Sequence, residues 1–198
     1  MIYIVSGASR SGKSIIAKRF LQRNQVPYMP LDSMMMGFMN GVPSMEIHDQ
    51  LWPHEIAKKM WPFLEAMCEN LLDNKIDYLF EGEAVWPQYI KEFADRHPGQ
   101  VRICFLGFAD VDIASKVSDV KRYPNHEGDW LVSLTDEEIR SHLENMKKYS
   151  ARIREECLKF AIQYFDTSDD FENKLEAVLS FLDPNMADGK RERAGEEQ

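Results

Sequence analysis

The sequence predicts an α/β fold, a parallel sheet with helices on both faces, from three observations. Apolar runs alternate with segments of helical periodicity along the chain. The runs at Ile2 to Ser6 and at VRICFLG are nearly continuous, as parallel strands buried on both faces require. The first run leads straight into a glycine-rich loop, GASRSGKS, and then into helical spacing, the order strand, loop, helix.

Each element follows in turn. Ile2 to Ser6 is strand one, and Lys13 to Gln22 a helix with Ile16, Ala17, Phe20 and Leu21 on one face. Val26 to Leu31 reads as strand two; Pro27 and Pro30 each delete a ladder donor and so place it at a sheet edge. Pro53 to Asn74 is a long helix with Ile56, Met60, Phe63, Leu64, Met67 and Leu71 on a broad face. DYLFEG is strand three, Gln88 to Asp95 a short helix, and VRICFLG strand four. A polar stretch then runs to Trp130, followed by a helical region from Thr135 to Phe160. IQYFDTS is strand five with its loop, Asp169 to Leu182 a final amphipathic helix, and 184–198 a charged tail expected to be disordered. Right-handed crossovers between such strands gather ligands at their carboxyl ends.

Composition narrows the function. With 198 residues, one domain is expected over 1–183, with a lid region at about 108–155. The chain is 44% hydrophobic and 29% charged, without the roughly 18 apolar residues in a row that a membrane helix needs. MIYIVSG lacks the basic and long apolar segments of a secretory signal, so a cytoplasmic location is expected. A formal net charge of -9 disfavours general binding to nucleic-acid backbones. Cys68, Cys104 and Cys157 are widely spaced and odd in number, which points to buried thiols rather than zinc or disulfides.

The loop carries the sharpest signal. Gly7, Gly12, Lys13 and Ser14 satisfy G-x-x-x-x-G-K-[ST], in which backbone N–H groups converge on a phosphate. Lys13 neutralises the outer phosphates and Ser14 ligates magnesium in that pattern, with Ala8, Ser9, Arg10, Ser11 and Ile15 completing the wall. Arg10 reaches a phosphate or points to solvent. A glycine-rich turn capped by serine is the bland alternative.

Two acids stand at strand ends. Asp32 in MPLDSMMMGF can orient and deprotonate an acceptor hydroxyl, or form an Asx turn or helix N-cap over Ser33 to Phe38. Glu81 in FEGE ends an apolar run like the acid of a Walker B strand, and can hold magnesium through water, touch the acceptor, or lie exposed in a turn. Gly82 beside it suggests close ligand approach, and Glu83 is the weaker candidate. The methionines between Met34 and Met45 suit an adaptable pocket wall or irregular core. Among Lys121, Arg122, Arg140, Lys147, Lys148, Arg152 and Arg154, a lid arginine closing over the transferring group is expected at Arg122, Arg140 or Arg154. Histidines 48, 54, 97, 126 and 142 have no metal spacing and default to surface or turn roles.

Phosphate loop, acid after strand two, EG after strand three, basic segment before strand five and the FDTS turn together resemble the adenylate-kinase-like group of P-loop kinases. The resemblance implies a three-layer P-loop fold with strand order 2-3-1-4-5, ATP and Mg2+ at Gly7 to Ser14, a short helical lid after strand four, and an adenine contact near Asp166 and Thr167. It also implies a base role for Asp32, because members that phosphorylate a hydroxyl of a small molecule carry an aspartate after strand two. The arginines with which nucleotide kinases of that group grip an acceptor phosphate are missing from DSMMMGF and EGEAVWP. The expectation is an ATP-dependent kinase with a small-molecule hydroxyl acceptor, without nucleic acid or membrane partners, as a monomer or homodimer. The alternatives are a nucleoside or nucleotide kinase, or a regulator in which nucleotide occupancy switches the lid.

Overall fold

The computed structural model describes residues 1–48, 50–124 and 129–185. The expectations for His126 and for the tail from 186 onward lie outside the described residues. Five strands, β1 (Ile2–Gly7), β2 (Tyr28–Pro30), β3 (Tyr78–Gly82), β4 (Val101–Gly107) and β5 (Gln163–Asp166), form one parallel sheet in the order β2-β3-β1-β4-β5. The expected order is therefore the observed one, and β2 is an edge strand. It is shorter than the sequence suggests, because Pro30 ends the ladder and Leu31 starts a helix.

Seven α-helices are described: α1 (Lys13–Asn24), α2 (Leu31–Gly41), α3 (Pro53–Asp73), α4 (Pro87–Arg96), α5 (Ile113–Arg122), α6 (Asp136–Lys159) and α7 (Phe171–Leu182). Side-chain alternation along β1 divides the core in two. Ile2 and Ile4 pack with α3, α4 and the C-terminal half of α6, whereas Tyr3 and Val5 pack with α1 and α7. All four are fully buried, each contributing about 1.5–3 kcal/mol of transfer free energy.

Two helices correct the sequence reading. The stretch between Gly107 and Trp130 is not merely polar: α5 lies within it, capped by the Asp112 carboxylate on the Ser115 amide, with Val117 and Val120 buried. Six polar or charged residues among its ten mask that narrow apolar stripe. In α2, Asp32 lies inside the first turn and makes no side-chain cap, so neither the Asx turn nor the N-cap forms. The Thr135 to Glu138 capping box starts α6, whose N-terminal half joins Phe108, Val117, Val120 and Leu131 in a third cluster that also contains Ala8 of the loop. The region after β4 is thus packed directly on the loop that follows β1.

That loop leaves the sheet under a tight constraint. Gly7 has φ 125°, and a Cβ there would overlap the Leu106 carbonyl oxygen. Ala8 N–H donates to that same oxygen at 3.0 Å. Gly7→Ala is expected to lower unfolding free energy by about 3 kcal/mol or more, since the strand–strand spacing cannot relax without loss of the β1–β4 ladder; urea titration of the two proteins checks it.

Candidate active site

The strand ends bring the loop and three carboxylates together. Gly12 has φ 100° and its missing Cβ makes room for Leu175 and Phe171 of α7. This conformation starts α1 at Lys13, so the first amides of the helix face out of the sheet end without intrahelical acceptors. Such amides and the helix dipole favour an anion there. Lys13 is buried and its Nζ donates to the Ala8 carbonyl at 2.6 Å, which also accepts from Ser11 Oγ at 2.8 Å. Thr167, also buried, braces the loop from β5: its amide donates to Gly107 O at 2.7 Å, and its hydroxyl lies 3.1 Å from Gly107 O and 3.4 Å from Ser11 O.

Arg10 does not point to solvent. Its guanidinium forms an ion pair with Asp129, and both side chains are more than nine-tenths buried. The left-handed backbone of Arg10, φ 63°, turns it away from the helix start and toward the segment before α6.

Glu81 is buried at the end of β3 and accepts from Ser14 Oγ at 3.1 Å. Burial pushes its carboxyl above the usual glutamate range, opposed by Lys13 and the Ser14 hydrogen bond and reinforced by Asp32. Glu83 responds in the same way: burial raises it, Lys13 opposes, Asp32 adds to the rise, and a hydrogen bond with Ser9 lowers it. The exposed Asp32 completes the group. Gly82 makes room for α2, because a Cβ there would stand 2.8 Å from Leu31 Cβ and 3.4 Å from Asp32 Oδ1. A serine hydroxyl that donates to a carboxylate keeps its lone pairs for a hard cation. Ser14 and Glu81 therefore fit magnesium, which takes few protein ligands and several waters and phosphate oxygens. Among the described residues no group of three or more His, Cys, Asp and Glu could hold a metal by itself.

Beside the loop opens a cleft of about 510 Å³. Its lining combines the polar Ser9, Asp32 and Glu83 with Met35, Leu51, Trp52, Ile56 and Ala84, and with Trp130 and the α6 residues His142, Asn145, Met146 and Tyr149. Met35 thus serves the pocket while it, Met34 and Met45 also pack on the core. Tyr149 Oη is buried and has no hydrogen-bond partner among the described residues. Burial and the Glu83 charge raise the Tyr149 phenol well above the tyrosine range, with Arg152 opposing.

The remaining candidates are dispersed. Arg122, exposed at the end of α5, lies over the Tyr123 ring. Arg140 is exposed on α6 and helps lower the Asp112 carboxyl, after the Ser115 hydrogen bonds that dominate there. Arg154 donates to Asp110 at 2.7 Å and lies 3.8 Å from Asp166. Asp166 spends its carboxylate on the amides of Ala109 and Ser168, so its side chain ties β5 to the turn after β4. Among the histidines, His97 pairs with Glu69 at 3.0 Å and His142 stands edge-on to Trp130, a cleft position rather than a plain surface one. The three cysteines are free and buried, as expected.

Sequence reasoning undervalued Glu83 and missed Lys116. Glu81 and Glu83 are two apart at a strand end, the spacing that sends side chains to one side. Lys116 lies on the unrecognised α5, its ammonium 5.1 Å from the Phe108 ring centre and 5.5 Å from that of Phe171, with burial lowering its pKa.

No protein-family model and no curated protein sequence matches this chain. Solved structures do match it in fold. A sugar kinase from Janibacter sp. HTCC2649 superposes with TM-score 0.54 at 18% identity, covering 94% of this chain and 96% of that one. Shikimate kinase from Bacteroides thetaiotaomicron gives 0.53 at 15%, covering 92% and 98%. A gluconokinase from Sinorhizobium meliloti 1021 gives 0.51 at 15%, covering 99% and 97%. What the chain shares with these three structures is the fold, a five-stranded parallel sheet in the order β2-β3-β1-β4-β5 with helices on both faces. No helix among the described residues is long and apolar enough to cross a membrane.

The raised carboxyl of Glu83 has a measurable consequence. A carboxyl whose folded pKa exceeds its unfolded one binds its proton more tightly when folded, so its contribution to stability falls as pH rises from the ordinary glutamate value through the folded one. Glu83→Gln removes that contribution. The stability difference between the glutamine variant and the parent is expected to grow in the variant's favour as pH rises across this window, as read from urea midpoints at a series of pH values.

Proposed function

We propose that the protein is a kinase that transfers the γ-phosphoryl group of ATP to a hydroxyl of a small molecule. The observation that supports it most is the meeting, at one end of the sheet, of the Gly7 to Ser14 loop with Asp32, Glu81 and Glu83 around a single cleft. The kinase names of the solved structures that share the fold agree with this reading.

In this reading the α1 amides and Lys13 hold the β- and γ-phosphates, as Lys13 gives up its contact with Ala8. Ser14 and Glu81 would hold Mg2+, which would supply charge neutralisation on the phosphate oxygens. Asp32 orients the acceptor hydroxyl in the cleft and takes its proton. Asp32 is exposed and unspent on any cap, so its carboxylate is available to a ligand. Of the lid arginines, Arg154 is held nearest the loop-bracing β5 by Asp110 and Asp166, and a swing toward the transferring group would cost it those contacts. Arg122 and Arg140 are exposed and in no ion pair among the described residues, and would reach the site only through movement of the segment that carries them. An adenine near Asp166 and Thr167 would meet backbone and the rings beside Lys116, since both of those side chains are engaged.

A nucleotide acceptor is disfavoured because no Arg or Lys stands among the described residues of the cleft wall. Asp32→Asn is expected to lower the rate of phosphoryl transfer about 10²- to 10⁴-fold, the usual value of general-base catalysis, with Mg·ATP affinity within about twofold of the parent. Calorimetric titration of nucleotide beside an ADP-release assay checks it; parallel loss of both would assign Asp32 a structural role instead.

A further inference from the structure

We infer that the acceptor carries an amine: it is an amino alcohol or amino sugar whose ammonium group is held by Glu83 in the cleft that Trp52 and Trp130 line. The inference rests on the kinase reading above and adds to it the chemical class of the acceptor.

The cleft wall is acidic and aromatic. Asp32 and Glu83 line it, Glu81 lies behind them, and among its described residues there is neither Lys nor Arg. Trp52 is 62% exposed and Trp130 56%, so most of each indole is open to a ligand, and His142 stands edge-on to Trp130. The cations that act on Glu83 and Tyr149, Lys13 and Arg152, lie outside the cleft wall. Lys13 donates to Ala8 and serves the phosphate side. The Arg152 guanidinium lies 5.2 Å from the centre of Trp86, outside the cleft wall.

Charge decides among the acceptor classes. A hydroxy acid would bring its carboxylate beside Asp32 and Glu83 with no lining Lys or Arg to receive it, so like charges would repel. A neutral polyol would bring no positive charge to the Asp32 and Glu83 carboxylates or to the exposed Trp52 and Trp130 rings. An ammonium group answers both conditions, pairing with Glu83 and gaining cation–π attraction from the indoles. The orphaned Tyr149 hydroxyl, close enough to Glu83 to feel its charge, then has a polar ligand to bond.

The transfer step balances without further reagents. The acceptor hydroxyl oxygen forms the new bond to the γ-phosphorus, the bond from that phosphorus to the β,γ-bridging oxygen breaks, and ADP leaves with the electron pair. The hydroxyl proton passes to Asp32, and the ammonium is unchanged.

The test presents the purified full chain with Mg·ATP and three size-matched pools: amino alcohols and amino sugars, neutral polyols and sugars, and hydroxy and sugar acids, including the isosteric set glucosamine, glucose and gluconate. ADP release is expected from the amine pool, with kcat/KM at least tenfold above that of each active compound's neutral isostere. Glu83→Gln is expected to bring that ratio close to one. In the parent protein, KM for the amine should rise several-fold between low and high sodium chloride while that of the neutral isostere holds, a readout that does not depend on the variant folding. A hydroxy acid or neutral polyol as the best acceptor overturns the inference and leaves the kinase reading standing. Turnover of no pool also overturns it, and calorimetry then separates the two: retained Mg·ATP binding keeps the nucleotide site, whereas its absence brings down the kinase reading as well.

Discussion

Everything at the working end of this molecule depends on how the chain leaves β1. The Leu106 carbonyl on β4 accepts from the Ala8 amide, and the space between them admits no side chain at Gly7. Thr167 then closes the arrangement from β5 by bonding both Gly107 and Ser11. The loop is thereby anchored to two strands before any ligand arrives. Its internal carbonyl, Ala8, is satisfied by Ser11 and Lys13, leaving the amides at the start of α1 facing outward. A loop ordered in this way loses little conformational entropy on binding, the usual advantage of preorganisation.

The same clamp positions a concentration of negative charge. Parallel register puts Pro30 opposite Glu81 and Ser6 opposite Gly82, so the chain emerges from β2 and β3 on the same level as the loop. Burial of Glu81 and Glu83 is unfavourable to both as anions, and their mutual neighbour Asp32 adds to the cost. Lys13 is the attraction that both glutamates share. Placing one lysine against two acids at a helix start leaves the site with unspent negative charge on its acceptor side and positive potential on its phosphate side.

The segment after β4 is joined to this centre by packing as well as charge. Ala8 shares a core cluster with Phe108, Val117, Leu131, Ile139 and Leu143, and Arg10 reaches Asp129 just before the 3₁₀ turn that precedes α6. A buried ion pair contributes modestly to stability but is costly to break, because separation strands a charge away from water. The loop and the start of this segment are therefore mechanically one unit, while the C-terminal half of α6 belongs to the sheet core through Ile153 and Cys157.

What the sequence determined by itself was local. The spacing of Gly7, Gly12, Lys13 and Ser14 specifies a strand, a left-handed turn and a helix start because those constraints act within a few bonds. Pro27 and Pro30 place β2 at an edge because a missing N–H needs no knowledge of the neighbouring strand. The helical spacing from Thr135 to Phe160 anticipates α6 because such periodicity is internal to one element. Tertiary structure alone decided which distant groups meet. Arg10 finds a partner 119 residues away, and Thr167 braces a loop 156 residues earlier in the chain. Lys116 settles between two rings from different elements, and Gly82 makes room for α2. Such pairings follow from the strand order and from which helix covers which face, and periodicity within one element carries no information about either.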